Sequence, residues 1–86
     1  MDRTWRVLLI RRGADYLWEA YTLDAPFSNC GAAPAVALAN LRQSVARYVE
    51  RKAGPLEFAT LGEARLAALM DELPPNSSTV TVSITV

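Results

Sequence analysis

The carboxylates of the N-terminal segment come closest, by residue type, to a catalytic group. Asp15, Glu19 and Asp24 lie near a predicted hairpin, and Glu50 lies near the end of a predicted helix. Together they could hold Mg²⁺ for phosphoryl transfer. However, the predicted central strand at 5–10 carries no acid, and acids in turns and at strand ends are common for local hydrogen bonding. We therefore expect no catalytic residue and no metal site.

Histidine is absent and cysteine occurs once, at Cys30. Histidine is the commonest general base and metal ligand, and nothing obvious in the sequence would activate a lone cysteine as a nucleophile. The glycines lack the spacing of a phosphate-binding loop. The sequence predicts a protein that is not an enzyme and binds no cofactor. Of two interpretations of Cys30, a redox switch and a small buried filler, the buried filler is expected.

Two pairs of side chains are candidates for contact with a partner protein. Trp18 and Tyr21 lie at odd relative spacing on a predicted strand, so they should face opposite sides of the sheet. One is expected in the core, and the other either anchors a partner or covers the sheet. Arg47 and Arg51 lie one helical turn apart and either clamp an acidic partner or form a solvated helix face.

The last predicted strand, at 79–86, alternates strictly between apolar and hydroxyl residues, so one face is apolar and the other hydroxylic. The apolar face is expected to lie on a helix. The hydroxyl residues, which should meet water or a partner, are Thr79, Thr81, Ser83 and Thr85. No charge or proline interrupts the strand. An edge of this kind invites pairing with another chain. The strand is therefore either central in the sheet or an edge covered by a second copy in a homodimer.

The order of elements predicts an α+β fold. Strands are expected at 5–11, 16–23 and 79–86, and helices at 34–52 and 60–73; the short segments 27–30 and 56–59 are candidate strands. We expect a small mixed sheet with both helices on one face, and a single domain over residues 1–86.

Composition limits the class of protein. Of 86 residues, nine are basic and nine acidic, so the basic excess typical of nucleic-acid binders is missing and direct nucleic-acid binding is not expected. The uneven placement of charge predicts either one basic and one acidic face or simply solvated surfaces. The lone cysteine and the lack of a long apolar segment favour a cytoplasmic protein without membrane contact.

The junction between hairpin and helix resembles the HicB-type antitoxin family. The resemblance covers roughly residues 4–52 and holds without a gap from Gly31 to Glu50. The matching residues are Asp24-Ala25-Pro26, Ser28-Asn29-Cys30-Gly31, Ala37-Leu38-Ala39-Asn40-Leu41-Arg42, Val45 and Tyr48-Val49-Glu50. Asn40 and Tyr48-Val49-Glu50 are the least generic of these matches.

The resemblance implies a partial RNase H-like fold without the RNase H acids, and a dimer or higher oligomer. It also implies that the protein neutralises a small, basic, RNA-cleaving toxin by direct contact. The same order of elements also fits a β-grasp, ubiquitin-like fold. In that case the chain would be an adaptor in protein assembly, with its last strand parallel to its first.

Overall fold

A computed structural model describes residues 3–51 and 62–86. Its elements are, in chain order, β1 (Thr4–Arg11), β2 (Trp18–Thr22), β3 (Ser28–Gly31), α1 (Pro34–Arg51), α2 (Gly62–Asp71) and β4 (Ser78–Thr85). The predicted α+β class is confirmed. The candidate strand at 56–59 and the predicted start of the second helix at Thr60 lie outside the described residues. Among the described helices, none is long and apolar enough to cross a membrane.

The four strands form one sheet in the order β3-β2-β1-β4, and every neighbouring pair is antiparallel. The prediction of a mixed sheet is therefore wrong. β1 lies in the interior of the sheet, as its run of aliphatic residues predicts, and β4 lies at the edge beside it. Because β4 runs antiparallel to β1, the β-grasp alternative, which requires a parallel last strand, is also wrong.

The two helices lie on opposite faces of the sheet. Trp5, Val7 and Leu9 of β1 belong to a core cluster with the buried face of α1. Leu8 and Ile10 belong to a second cluster, against which Leu66, Leu69 and Leu73 of the α2 segment pack. The prediction that both helices share one face is wrong because β1 is apolar on both sides, and each side needs its own cover.

Helix α1 approaches the sheet closely at Gly31. A Cβ atom on Gly31 would lie 2.7 Å from the Ala37 backbone nitrogen and 2.7 Å from Val36 Cγ1, closer than real side chains come. Asn40 Nδ2 donates to the Cys30 carbonyl at 2.8 Å, and Asn29 Nδ2 donates to Ser44 Oγ at 3.0 Å. Amide side chains thus join β3 to α1 where glycine allows contact.

Helix α2 is attached to the sheet by polar contacts as well as by its leucines. Arg65 Nε donates to the Thr22 carbonyl at 2.7 Å. Arg6 on β1 binds both oxygens of Asp24, at 2.8 and 2.7 Å, and reaches Glu63 of α2 at 3.3 Å. These contacts cross the sheet face that the second core cluster occupies.

The second strand starts later than predicted, at Trp18. Tyr16 and Leu17 are exposed, because the Tyr16 N–H bonds to the Gly13 carbonyl at 3.1 Å and closes a turn. This turn joins β1 to β2 as the expected antiparallel hairpin.

Candidate protein-interaction site

The outer side of β4, Ser78–Thr85, is the best candidate for a functional surface; we call it the β4 edge. One side of the strand pairs with β1 along its whole length. Among residues 3–51 and 62–86, no strand pairs with the other side. Of the two placements predicted from the sequence, the structure has the edge placement.

The side chains of β4 divide as the alternation predicts. Ile84 is buried, and Val82 and Val86 are half-buried, all three against the α1 core cluster. The hydroxyl residues are exposed on the opposite face: Thr79, Thr81, Ser83 and Thr85. Val80, however, is 47% exposed although it lies on the apolar face. The expectation that a helix covers this whole face is therefore wrong at Val80, since α1 packs mainly across β2 and β3.

Trp18 and Tyr21 face opposite sides of the sheet, as their spacing predicts. Trp18 packs against the α1 cluster and Tyr21 against the α2 cluster. Both are half-buried, so the expectation that one of them is a core residue is wrong, and each ring covers part of its own face of the sheet. The Arg65 guanidinium lies 5.7 Å from the centre of the Tyr21 ring, and Tyr21 also hydrogen-bonds Glu19.

Arg47 and Arg51 are exposed on the outer side of α1. They lie on the α1 face of the sheet, whereas the hydroxyl groups of β4 and Tyr21 lie on the α2 face. The residues predicted from the sequence as a partner interface therefore do not converge on one surface. Among these residues, the hydroxyl residues of β4 form a continuous surface.

The exposed charges of the two helices differ in sign. The outer side of α1 carries Arg42, Arg47 and Arg51 with Glu50, whereas Asp71 and Glu72 are exposed at the end of α2. Because α1 and α2 cover opposite faces of the sheet, the described part of the chain has a more basic α1 face and a more acidic α2 face.

Two of the carboxylates considered for metal binding are engaged by arginines. Glu19 pairs with Arg12 at 2.7 Å. Asp24 is held by Arg6, whose hydrogen bonds and charge lower the pKa of that carboxyl. Tyr21 has a raised pKa, first because of its burial and then because of its hydrogen bond to Glu19. Within residues 3–51 and 62–86, no three metal-ligating side chains gather into a site.

Asn40 and Tyr48, two of the least generic residues in the family resemblance, have structural contacts. Asn40 bonds β3, and the Tyr48 ring meets the Phe27 ring at 5.1 Å between centroids, edge to face. The prediction of a buried Cys30 is wrong: its side chain is exposed, because β3 is an edge strand and Cys30 lies beside Glu19 on the α2 face.

Sequence reasoning missed two features. One is the exposure of Val80, which depends on where α1 lies across the sheet. The other is the contact of Arg6 with Asp24 and Glu63, which are far apart along the chain. A signal for the second was present, because Arg6 is a charged residue between the apolar residues Trp5 and Val7 of β1. Comparisons with family models, curated proteins and solved structures give no match to this chain.

Proposed function

We propose that this chain is a non-catalytic protein-interaction module that acts in the manner of a HicB-type antitoxin. In this proposal it binds a small RNA-cleaving toxin directly and neutralises it. The observation that carries the proposal is the β4 edge, a long strand edge without charge that the described residues leave open.

Soluble proteins usually protect such an edge with lysine, proline, a bulge or a covering element. Residues 76–86 contain neither a charge nor a proline. The register against β1 runs without interruption from Ser78 to Thr85, so no bulge bends the edge away. An edge left in this state favours strand addition, in which main-chain groups bind a strand of another chain.

The class of partner follows from the resemblance of the segment from Gly31 to Glu50 to HicB-type antitoxins. That resemblance implies a small basic toxin as the partner. The charge distribution supports a particular surface for it. Asp71 and Glu72 would attract a basic protein toward the α2 face, whereas Arg42, Arg47 and Arg51 would repel it from the α1 face.

Co-expression with the protein encoded in the neighbouring reading frame tests this proposal. We expect the tagged chain to capture a small basic protein and to suppress its RNA cleavage. Reversal of both acids, Asp71→Lys with Glu72→Lys, should weaken capture. The fold should tolerate these lysines, because cations at a helix C-terminus are favourable.

The matched control reverses two charges on the opposite face, Arg42→Glu with Arg47→Glu, and should leave capture unchanged. Recovery of no small basic partner would count against the antitoxin proposal. Loss of capture in the α1 variant alone would also overturn it, because it would show that the partner is acidic and binds the arginines.

A further inference from the structure

We propose that the β4 edge pairs with the β4 edge of a second copy of this chain, in antiparallel orientation, about a two-fold axis at Val82. This inference goes beyond the proposed function: it assigns the β4 edge to a second copy and leaves the α2 face, where Asp71 and Glu72 are exposed, to the basic partner. It would join two four-stranded sheets into one continuous sheet.

The hydrogen bonds at the end of the sheet show which backbone groups the edge presents. Arg3 and Val86 exchange both of their backbone hydrogen bonds, at 2.8 and 3.0 Å. In an antiparallel ladder, such hydrogen-bonded pairs alternate with pairs that share no hydrogen bond. Every second residue counted back from Val86 therefore bonds β1, so the N–H and C=O groups of Val80, Val82 and Ile84 point toward β1. The groups that point outward belong to the hydroxyl residues Thr79, Thr81, Ser83 and Thr85.

A two-fold axis at Val82 lets every outward group pair with a copy of the same strand. Thr79 would lie opposite Thr85 of the copy, and Thr81 opposite Ser83. Each of these pairs can exchange both of its N–H···O bonds. Val82 would then lie opposite its own copy in a pair without hydrogen bonds, where side chains approach most closely.

The side chains are self-complementary in this register. Residues directly opposite each other point to the same face, so hydroxyl groups meet hydroxyl groups and apolar groups meet apolar groups. Val80, which is 47% exposed in one chain, would lie opposite Ile84 of the copy, which is 6% exposed. The second copy thus covers the exposed part of the apolar face that α1 leaves open.

Neither the helices nor the charges oppose this pairing. Helix α1 packs mainly across β2 and β3, and α2 packs on Leu8, Ile10 and Leu23, so the helices lie away from the β4 edge. The arginines of β1 would be separated from those of the copied β1 by three strand spacings, about 14 Å. That distance exceeds the Debye length of about 8 Å at physiological salt, and the chain has no net charge.

A pair of double variants tests both the dimer and its register. Thr81→Glu with Ser83→Glu places like charges opposite each other at two symmetry-related positions. Thr81→Lys with Ser83→Glu places opposite charges at the same positions. Both variants keep the same glutamate at position 83 beside Arg6, its cross-strand neighbour on β1, so they are matched except for the sign at position 81.

We expect the mass of the wild-type chain in sedimentation equilibrium to be twice that of one 9.4 kDa chain. The Glu/Glu variant should have a dissociation constant raised roughly tenfold or more over the Lys/Glu variant. Far-UV circular dichroism of all three proteins verifies that each is folded. A folded monomeric wild type, or equal dissociation constants for the two variants, would overturn the pairing.

The two proposals fail in different ways. A monomeric wild type that loses its heterologous partner in the Glu/Glu variant shows that the edge receives a strand of another protein, which overturns self-pairing and leaves the proposed function standing. A wild-type dimer that captures no partner supports self-pairing and overturns the antitoxin role.

Discussion

At the scale of single residues, the junction between β3 and α1 depends on Gly31, which has no side chain, and on the side-chain amide of Asn40. Gly31 admits the helix backbone, and Asn40 then satisfies the Cys30 carbonyl across the contact. The resemblance to HicB-type antitoxins identified Asn40 as one of the least generic matching residues. Its hydrogen bond could not be predicted, because it requires knowing which strand the helix crosses.

Gly31→Ala should destabilise the fold by about 1–3 kcal/mol, because its new methyl group overlaps backbone atoms that cannot move freely. Gly13→Ala is the matched control, since a Cβ there meets only two Tyr16 ring atoms, at 3.4 and 3.6 Å. Urea unfolding of both variants measures the difference. Equal stability of the two variants would show that α1 shifts without cost at Gly31.

Asp24 should contribute stability that depends on pH. Hydrogen bonds and charge from Arg6 lower its pKa in the folded state, so the ion pair stabilises the fold above pH ~4 and this stability is lost as the pH falls through the folded-state pKa. The effect should be small, because the two side chains are 45% and 36% exposed.

Asp24→Asn should therefore lower stability at pH 7 and reduce the loss of stability between pH 7 and 3, as measured by urea unfolding across that range. Asp15→Asn, a change at an exposed acid in the β1–β2 turn, is the control and should keep the wild-type acid dependence. If Asp24→Asn keeps that dependence too, the contact with Arg6 contributes nothing to it.

At the scale of elements, the periodicity of side chains predicted the type of each described helix and strand but not where each helix lies. The apolar stripe of α1 identifies its buried face, including Leu41 and Val45. The stripe does not predict which face of the sheet α1 covers. The run Val7–Ile10 contained the missing information, because a strand apolar on both sides requires cover on both sides.

The two helices should differ in their contribution to stability. Leu41 of α1 is fully buried, so Leu41→Ala should cost about 2–5 kcal/mol. Leu69 of α2 is half-buried, so Leu69→Ala should cost about 1–2 kcal/mol, in proportion to the apolar area it covers. Denaturant unfolding compares them, and a cost for Leu69→Ala as large as that for Leu41→Ala would contradict this ranking.

At the scale of the whole molecule, the candidate site was easier to predict than the sheet around it. The alternation of β4 is local, so its exposed hydroxyl residues could be read directly from the sequence. Strand direction and order depend on how the chain crosses the sheet between β3 and β4, which periodicity does not encode. For this reason the strand at risk of pairing was recognised, while the sheet was wrongly expected to be mixed.

The two cores should unfold together, because adjacent residues of β1 belong to different cores. Tryptophan fluorescence reports on the α1 core, because Trp5, only 1% exposed, and Trp18 both pack there, whereas far-UV circular dichroism reports on both helices. We expect the two signals to give the same urea midpoint at one protein concentration. A dichroism transition that precedes the fluorescence transition would show that α2 unfolds separately.

The two-sided packing of β1 also determines what prevents the strand from slipping. In most half-buried strands, a shift by one residue exposes the whole apolar set and is strongly penalised. In β1, residues 7–10 would stay apolar on both sides after such a shift, so polarity alone does not reject misalignment there. The native register of β1 must therefore be favoured by Trp5 and Arg6, near the start of the strand. The Trp5 ring fits the α1 core. After a slip by one residue, Arg6 would lie on the α1 face of the sheet and could not reach Asp24. The register of a strand that is apolar on both sides thus depends on one aromatic ring, Trp5, and one cation, Arg6.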